Sequence, residues 1–353
     1  MSGNRITAVQ IWLIVGLFMI LMQVFIGGIT RLTGSGLSIT KWDIVSGTIP
    51  PLNENEWNAQ FELYQQTPQY HKINKGMSLS EFKFIFFWEY FHRLWARTMG
   101  FVFLFPLIFF IFKRKISSLL GKRLFIVFLL AALNASMGWI MVASGLIERP
   151  WVNAYKLSFH LILALILFLY LLWVVIQEFR VEKEDSIDVT NRIAYKSFFW
   201  ILFVQIFLGG MMSGMRASMI YPTWPKIGDS WIPAVLTDFS HWTYTNFGKY
   251  DEHHFLPALV HFLHRNLAYL ILCFGLYLFF KNIGRVKSAL LKTGLYLQIT
   301  FMFLQVILGV LTLIHSKGRI PIWYGVFHQL VGFLLISAIV YILSLVHDSQ
   351  KTV

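Results

Sequence analysis

The sequence predicts an all-α integral membrane protein of eight transmembrane helices, arranged as two tandem four-helix bundles in the same orientation. Three observations carry this. The chain of 353 residues is 57% hydrophobic and only 13% charged, about half the charged share of a soluble domain. Its apolar residues come in unbroken runs, which excludes disordered, collagen-like and coiled-coil classes. The second half repeats the motifs of the first. A single cysteine, Cys273, excludes an internal disulfide and any cysteine-based zinc or iron–sulfur site.

About 20 apolar residues cross the hydrocarbon core. Eight stretches meet this, at roughly 8–29, 84–112, 124–143, 157–176, 197–212, 256–280, 293–314 and 323–346. The first has no cleavage signal after it, since residues 27–33 read GGITRLT, and is expected to be retained. Eight spans place both termini on one side. The segments 1–7, 113–123, 177–196, 281–292 and 347–353 hold 15 Lys or Arg in 57 residues, against 12 in the 118 residues of the opposite segments. By the positive-inside rule both termini are cytoplasmic, and the connections 30–83 and 213–255 lie outside. The net charge of +13 is thus mostly topological, with no call for a nucleic-acid partner.

At an offset of 182, Gln23 matches Gln205, Gly27 and Gly28 match Gly209 and Gly210, Trp42 matches Trp224, and Pro51 matches Pro233. Further on, E-Y-F-H-R at Glu89–Arg93 meets H-F-L-H-R at His261–Arg265, and Phe159-His160 meets Phe327-His328. This divides the chain into units 1–180 and 181–353. Each odd helix carries an amide four residues before a glycine: Gln23 and Gly27, Asn134 and Gly138, Gln205 and Gly209, Gln305 and Gly309. Each pair shares one helix face. Two readings are open, close helix packing with an interhelical amide bond, or a flat surface for a large planar ligand whose polar edge the amide faces.

His92, His160, His264 and His328 each sit three to nine residues into an even helix, in the outer half of the bilayer. A low-spin haem iron takes two neutral imidazoles from opposite faces, so ligands come from two helices at equal depth. Each unit supplies one such pair. A lone membrane histidine is more often a hydrogen-bonding or proton-path residue; four in duplicated positions point to haem. Zinc or copper would want cysteines or more carboxylates nearby. Arg93 and Arg265 follow their histidines and are placed either to pair with haem propionates or to contact lipid headgroups. His71, His241, His253, His254, His315 and His347 have no duplicated partner and read as surface residues.

Glu89 breaks the repeat. It stands three residues before His92, on the same face, where the second unit has His261. It would give the first site alone a proton donor or acceptor; the alternative is a pairing with Arg93 or a helix cap. Trp42, Trp57, Trp224 and Trp231 suit an interfacial belt that folds the outer loops back over the bundle.

The run GGITRLTGSGLSITKW at 27–42, I-P-P-L-N-E-x-E-W at Ile49–Trp57, E-Y-F-H-R at Glu89–Arg93, P-T-W-P at Pro222–Pro225, L-H-R-N-L-A-Y at Leu263–Tyr269 and F-H-Q at Phe327–Gln329 together resemble the haem A synthase family over nearly the whole chain. The resemblance implies a bacterial cytoplasmic-membrane enzyme that oxidises the C8 methyl of haem O to a formyl group through a hydroxymethyl intermediate, giving haem A for cytochrome oxidase. It implies haem b as resident cofactor on His264 and His328, with Arg265 beside it, in the C-terminal unit. His92 and His160 would then face the substrate haem in the N-terminal unit, with Glu89 the essential catalytic carboxylate. Haem O synthase and cytochrome oxidase assembly factors are its implied partners, and a homo-oligomer is compatible with it. Some members carry a cysteine pair in the first outer loop; residues 30–83 have none, which removes a thiol route there.

The rival from another class is a di-haem b electron-transfer protein. Its four-helix versions place two histidines on each of two helices, whereas this chain has one per helix. A transporter would show paired midplane helix breaks, which are not evident.

Overall fold

The computed structural model describes residues 6–40, 46–146, 149–179 and 189–346. Trp42, His347 and the expected boundary between residues 180 and 181 lie outside them. The fold is all-α. Among the described residues, eight helices are long and apolar enough to cross a membrane: α1 (Ala8–Leu32), α2 (Leu79–Phe112), α3 (Ser118–Ala143), α4 (Ala154–Glu178), α5 (Val189–Gly214), α6 (Phe255–Ile283), α7 (Ala289–Ile314) and α8 (Ile322–Leu345).

Polar caps set the helix starts. Thr7 and Gln10 form a capping box at α1, and Ser78 and Glu81 another at α2. In each, a hydroxyl accepts the third backbone N–H while the third side chain returns to the cap. That second box explains why α2 begins five residues before the apolar run. Ser117 and Ser288 cap α3 and α7, and the Asn153 carboxamide oxygen accepts from Tyr155 N at 3.0 Å at the start of α4.

The chain forms two compact units, Met1–Phe168 and Leu169–Val353. In the first, α1 packs along α2. Indole N–H groups stitch the pair together, Trp12 to Val102 O and Trp95 to Met19 O, both at 2.9 Å. In the second, α5 packs on α6, α6 on α7, α7 on α8 and α8 on α5, closing a four-helix ring. Small residues permit the close approaches, as expected where lipid and protein are equally apolar. A side chain at Gly294 of α7 would meet Ile342 of α8 at 2.8 Å, and one at Gly275 of α6 would strike Met302 of α7 and Phe198 of α5. The outward faces are apolar; Phe101, Phe105, Phe109 and Phe112 on α2 and Phe125, Phe128 and Leu133 on α3 are all exposed, the arrangement of helices solvated by lipid.

The first outer connection is not a bare loop. Asn53 and Thr67 cap two short helices, Glu54–Gln65 and Pro68–Lys72. These bury Tyr64 against Phe82 and Phe86 on the projecting turns of α2. Trp57, expected in an interfacial belt, lies in this small core, edge-on to Phe86 with ring centres 5.0 Å apart. Trp224 and Trp231 of the second connection are exposed. The Tyr64 hydroxyl donates to Gln69 Oε1 at 3.1 Å and accepts from Asn74 Nδ2 at 2.7 Å, and Gln69 Nε2 reaches Gly34 O at 3.0 Å, tying the loop to the end of α1.

Burial pushes the Tyr64 phenol up from its ordinary value of 10 to about 12. The fold favours the neutral phenol, so its contribution is complete below pH 10 and is lost as pH rises from about 10 to about 12. Tyr64→Phe should strip Gln69 and Asn74 of a partner at a cost of about 1–3 kcal/mol. Limited proteolysis of the outer loop should then speed up at neutral pH and become less sensitive to alkali than in the wild type.

Candidate functional site

The four histidines project from α2, α4, α6 and α8, and each meets the glycine of an odd helix. A β-carbon on Gly27 would lie 3.1 Å from His92 Nε2, one on Gly138 3.0 Å from His160 Cε1, one on Gly209 3.4 Å from His264 Cε1 and one on Gly309 2.9 Å from His328 Cε1. The amide–glycine signature is therefore a receptor for an imidazole: glycine leaves space for the ring. At three of the four helices the amide of the preceding turn also holds it. Gln23 Nε2 is 3.0 Å from His92 Nε2, and Gln205 and Gln305 Nε2 are each 3.4 Å from the Nε2 of His264 and His328. Asn134 differs, because its backbone oxygen takes the bond from His160 Nδ1 at 3.1 Å. The interhelical amide bond of the first reading is present at Gln23, Gln205 and Gln305. The carboxamide oxygens of Gln23, Asn134, Gln205 and Gln305 are nevertheless all buried without a partner.

The rings pair within each unit. His264 and His328 have ring centres 6.4 Å apart and planes at 74°, within the span that two imidazoles sharing one metal ion occupy when each metal–nitrogen bond is about 2 Å. Both rings are buried, and each also meets the backbone of its glutamine, His264 at Gln205 and His328 at Gln305. His92 and His160 stand on α2 and α4 of the first unit, each seated on the glycine of an odd helix. Among the described residues no group of three His, Cys, Asp or Glu could hold a metal ion. Each pair would supply two imidazoles and, among the described residues, no third His, Cys, Asp or Glu beside them, a donor set that fits a haem iron.

His160, His264 and His328 stand six, nine and six residues into their helices, as expected. His92 stands thirteen residues after Leu79, because the Ser78 cap lengthens α2 outward.

Glu89 is buried, with 3% of its surface exposed, and its carboxylate is fully engaged. Oε1 pairs with Arg93 one turn on. Oε2 accepts from Ser38 N at 2.7 Å, Ser38 Oγ at 2.8 Å and Ile39 N at 2.9 Å. The loop after α1 is thereby clasped onto α2 one turn from His92. A cavity of about 110 Å³, lined by Ile39, Thr40, Arg93, Trp139, Val142 and Leu146, opens beside it. The second unit uses the same helix positions with inverted polarity. Arg265 donates to Thr223 O at 2.6 Å, Lys226 O at 2.8 Å and Pro225 O at 3.0 Å, and lies 3.1 Å from His261 Nε2. Both arginines therefore hold outer loops, in contacts the sequence reading did not reach. The pattern of small polar residues in G-S-G-L-S and of P-T-W-P was the signal for them. Of the remaining histidines, His71, His254 and His315 are exposed, and His241 lies against His253 with ring centres 4.8 Å apart and planes tilted at 44°.

Gly309→Ala should push the His328 ring from its seat and alter the absorption of any iron bound there. Gly100→Ala, which meets nothing within 4 Å, should leave that spectrum unchanged.

Fold and site together define a polytopic membrane protein that carries one histidine pair in each of two units. Residues 10–340 match the COX15-CtaA family, described as cytochrome oxidase assembly protein, and the chain belongs to that family. It is 38% identical over 347 residues to a protein of Flavobacterium psychrophilum named Heme A synthase, covering 97% of this chain and 98% of that one. A Pelagibacter ubique protein of the same name is 37% identical over 343 residues, 96% of each chain. One from Bradyrhizobium sp. is 37% identical over 336 residues, covering 94% of this chain and 89% of that one.

Proposed function

We propose that this protein is a haem A synthase of the bacterial cytoplasmic membrane, with both termini cytoplasmic. It oxidises the C8 methyl of haem O to a formyl group through a hydroxymethyl intermediate. The observation that carries the reading is the duplicated histidine pair with a carboxylate in one unit only: Glu89 precedes His92, while His261 precedes His264. The relatives named above support the same activity. His264 and His328 hold haem b as the resident cofactor, and His92 and His160 receive the substrate haem O. Haem b held there would supply a redox-active iron. The residues of the chain do the rest. Glu89 fixes the loop at Ser38 and Ile39 over the first site and provides the catalytic carboxylate there, while Arg93 keeps that carboxylate paired in an apolar setting. The glycines seat the imidazoles, and Arg265 closes the second outer loop over the cofactor unit.

Extraction and chromatography of the haems bound to the purified protein tests this. An enzyme should yield haem O or haem A together with haem b. Haem b alone would instead identify a di-haem electron relay and refute the proposal.

A further inference from the structure

In the first unit the two histidines are held by different ring nitrogens. His160 Nδ1 lies 3.1 Å from Asn134 O. A carbonyl only accepts, so Nδ1 carries the proton and the lone pair resides on Nε2, where it is available to a metal. His92 is the reverse. Its Nε2 lies 3.0 Å from Gln23 Nε2, and the same amide nitrogen donates to His92 O at 3.2 Å. That second bond requires nitrogen, not oxygen, at this end of the carboxamide, so His92 Nε2 must be the acceptor and its lone pair is spent on Gln23.

Resting on the assignment of the first unit to the substrate haem, we infer that His160 is its firm iron ligand and His92 the exchangeable one, whose Nε2 alternates between the iron and the Gln23 amide. The exchange breaks one iron–nitrogen bond and forms one N–H···N hydrogen bond, with no proton or electron transferred. The bond from Gln23 to the His92 carbonyl keeps the amide in place while the ring turns. The second unit repeats that backbone clasp, with Gln205 Nε2 2.9 Å from His264 O, so there too the ring Nε2 is the acceptor; but the amide–ring distances are 3.4 Å, past the ordinary 2.7–3.2 Å range, against 3.0 Å at His92. Gln23 is thus a positioning residue that favours release, which a site handing over product needs and a site keeping its cofactor does not.

The test uses the full-length protein loaded with haem O, with transfer to apomyoglobin reporting release from the first unit. Gln23→Met, of similar shape but without the donor, should slow release by about five-fold, the factor one ordinary hydrogen bond supports, and raise the low-spin fraction. Gly100→Ala, on the same helix as His92 but meeting nothing within 4 Å, should leave that rate unchanged. His92→Ala should retain haem O as a five-coordinate, high-spin species, and His160→Ala should lose it; the b-type spectrum of the second unit reports folding in each variant. Release from Gln23→Met as fast as wild type, or retention by His160→Ala with loss from His92→Ala, overturns the inference alone. A wild-type first unit that takes up no haem O overturns both this inference and the proposed function.

Discussion

Glu89→Gln is expected to reduce haem A formation by at least about a hundredfold while haem O still accumulates in the membrane. The reason lies in the donors around the side chain. Ser38 N, Ser38 Oγ and Ile39 N converge on one oxygen and Arg93 on the other. A carboxamide turned either way sets its own N–H₂ against donors, and Arg93 loses its counter-charge. Removing a positioned general acid or base typically costs about 10²–10⁴ in rate, and the broken ion pair destabilises the clasp in addition. The ratio of haem A to haem O extracted from membranes measures the outcome. A Glu89→Gln protein that makes haem A at the wild-type rate would remove the carboxylate from the reaction and leave the loop clasp as its only role.

His264→Ala and His328→Ala are each expected to abolish the resident b-type spectrum and, with it, turnover. Their rings share one space, 6.4 Å between centres, and losing either leaves one axial ligand. Because His264 and His328 lie in the bundle α5–α8, away from Glu89 in sequence and in unit, neither change should disturb the Ser38–Glu89 clasp. Purified variants that keep a stoichiometric low-spin haem b would sink the cofactor assignment.

The eight membrane helices were legible because hydrophobicity is the one property a span cannot do without, and their ends shifted where caps acted. Ser78 and Glu81 carry no apolar signal, so the run from Phe84 hides five further residues of α2. The short helices at Glu54–Gln65 and Pro68–Lys72 were missed for a similar reason: each is too short and too polar to show a periodicity, and both form on contacts with Phe82 and Phe86 that only the fold supplies. The histidine pairs and Glu89 stood out because polar and charged groups are scarce in such a chain. What the glycines face did not, since a glycine that seats a neighbouring helix and one that seats an imidazole read alike. Arg265 likewise reads as a partner for a haem propionate or a lipid headgroup until the carbonyls of residues 223, 225 and 226 are folded onto it.

The length of α2 has a mechanical consequence. Its 34 residues span about 51 Å at 1.5 Å per residue, whereas the hydrocarbon core is about 30 Å thick. The surplus carries Phe82 and Phe86 into the outer loop, where Tyr64 and Trp57 grip them. Between that grip and the spanning part stand Glu89 and His92. From Leu79 to Pro106 the helix is therefore one continuous rod, with the loop's grip at one end and His92 thirteen residues along it. A pull on the short helices Glu54–Gln65 and Pro68–Lys72 is thus carried along α2 to Glu89 and His92, so the connection and the candidate site move as one element.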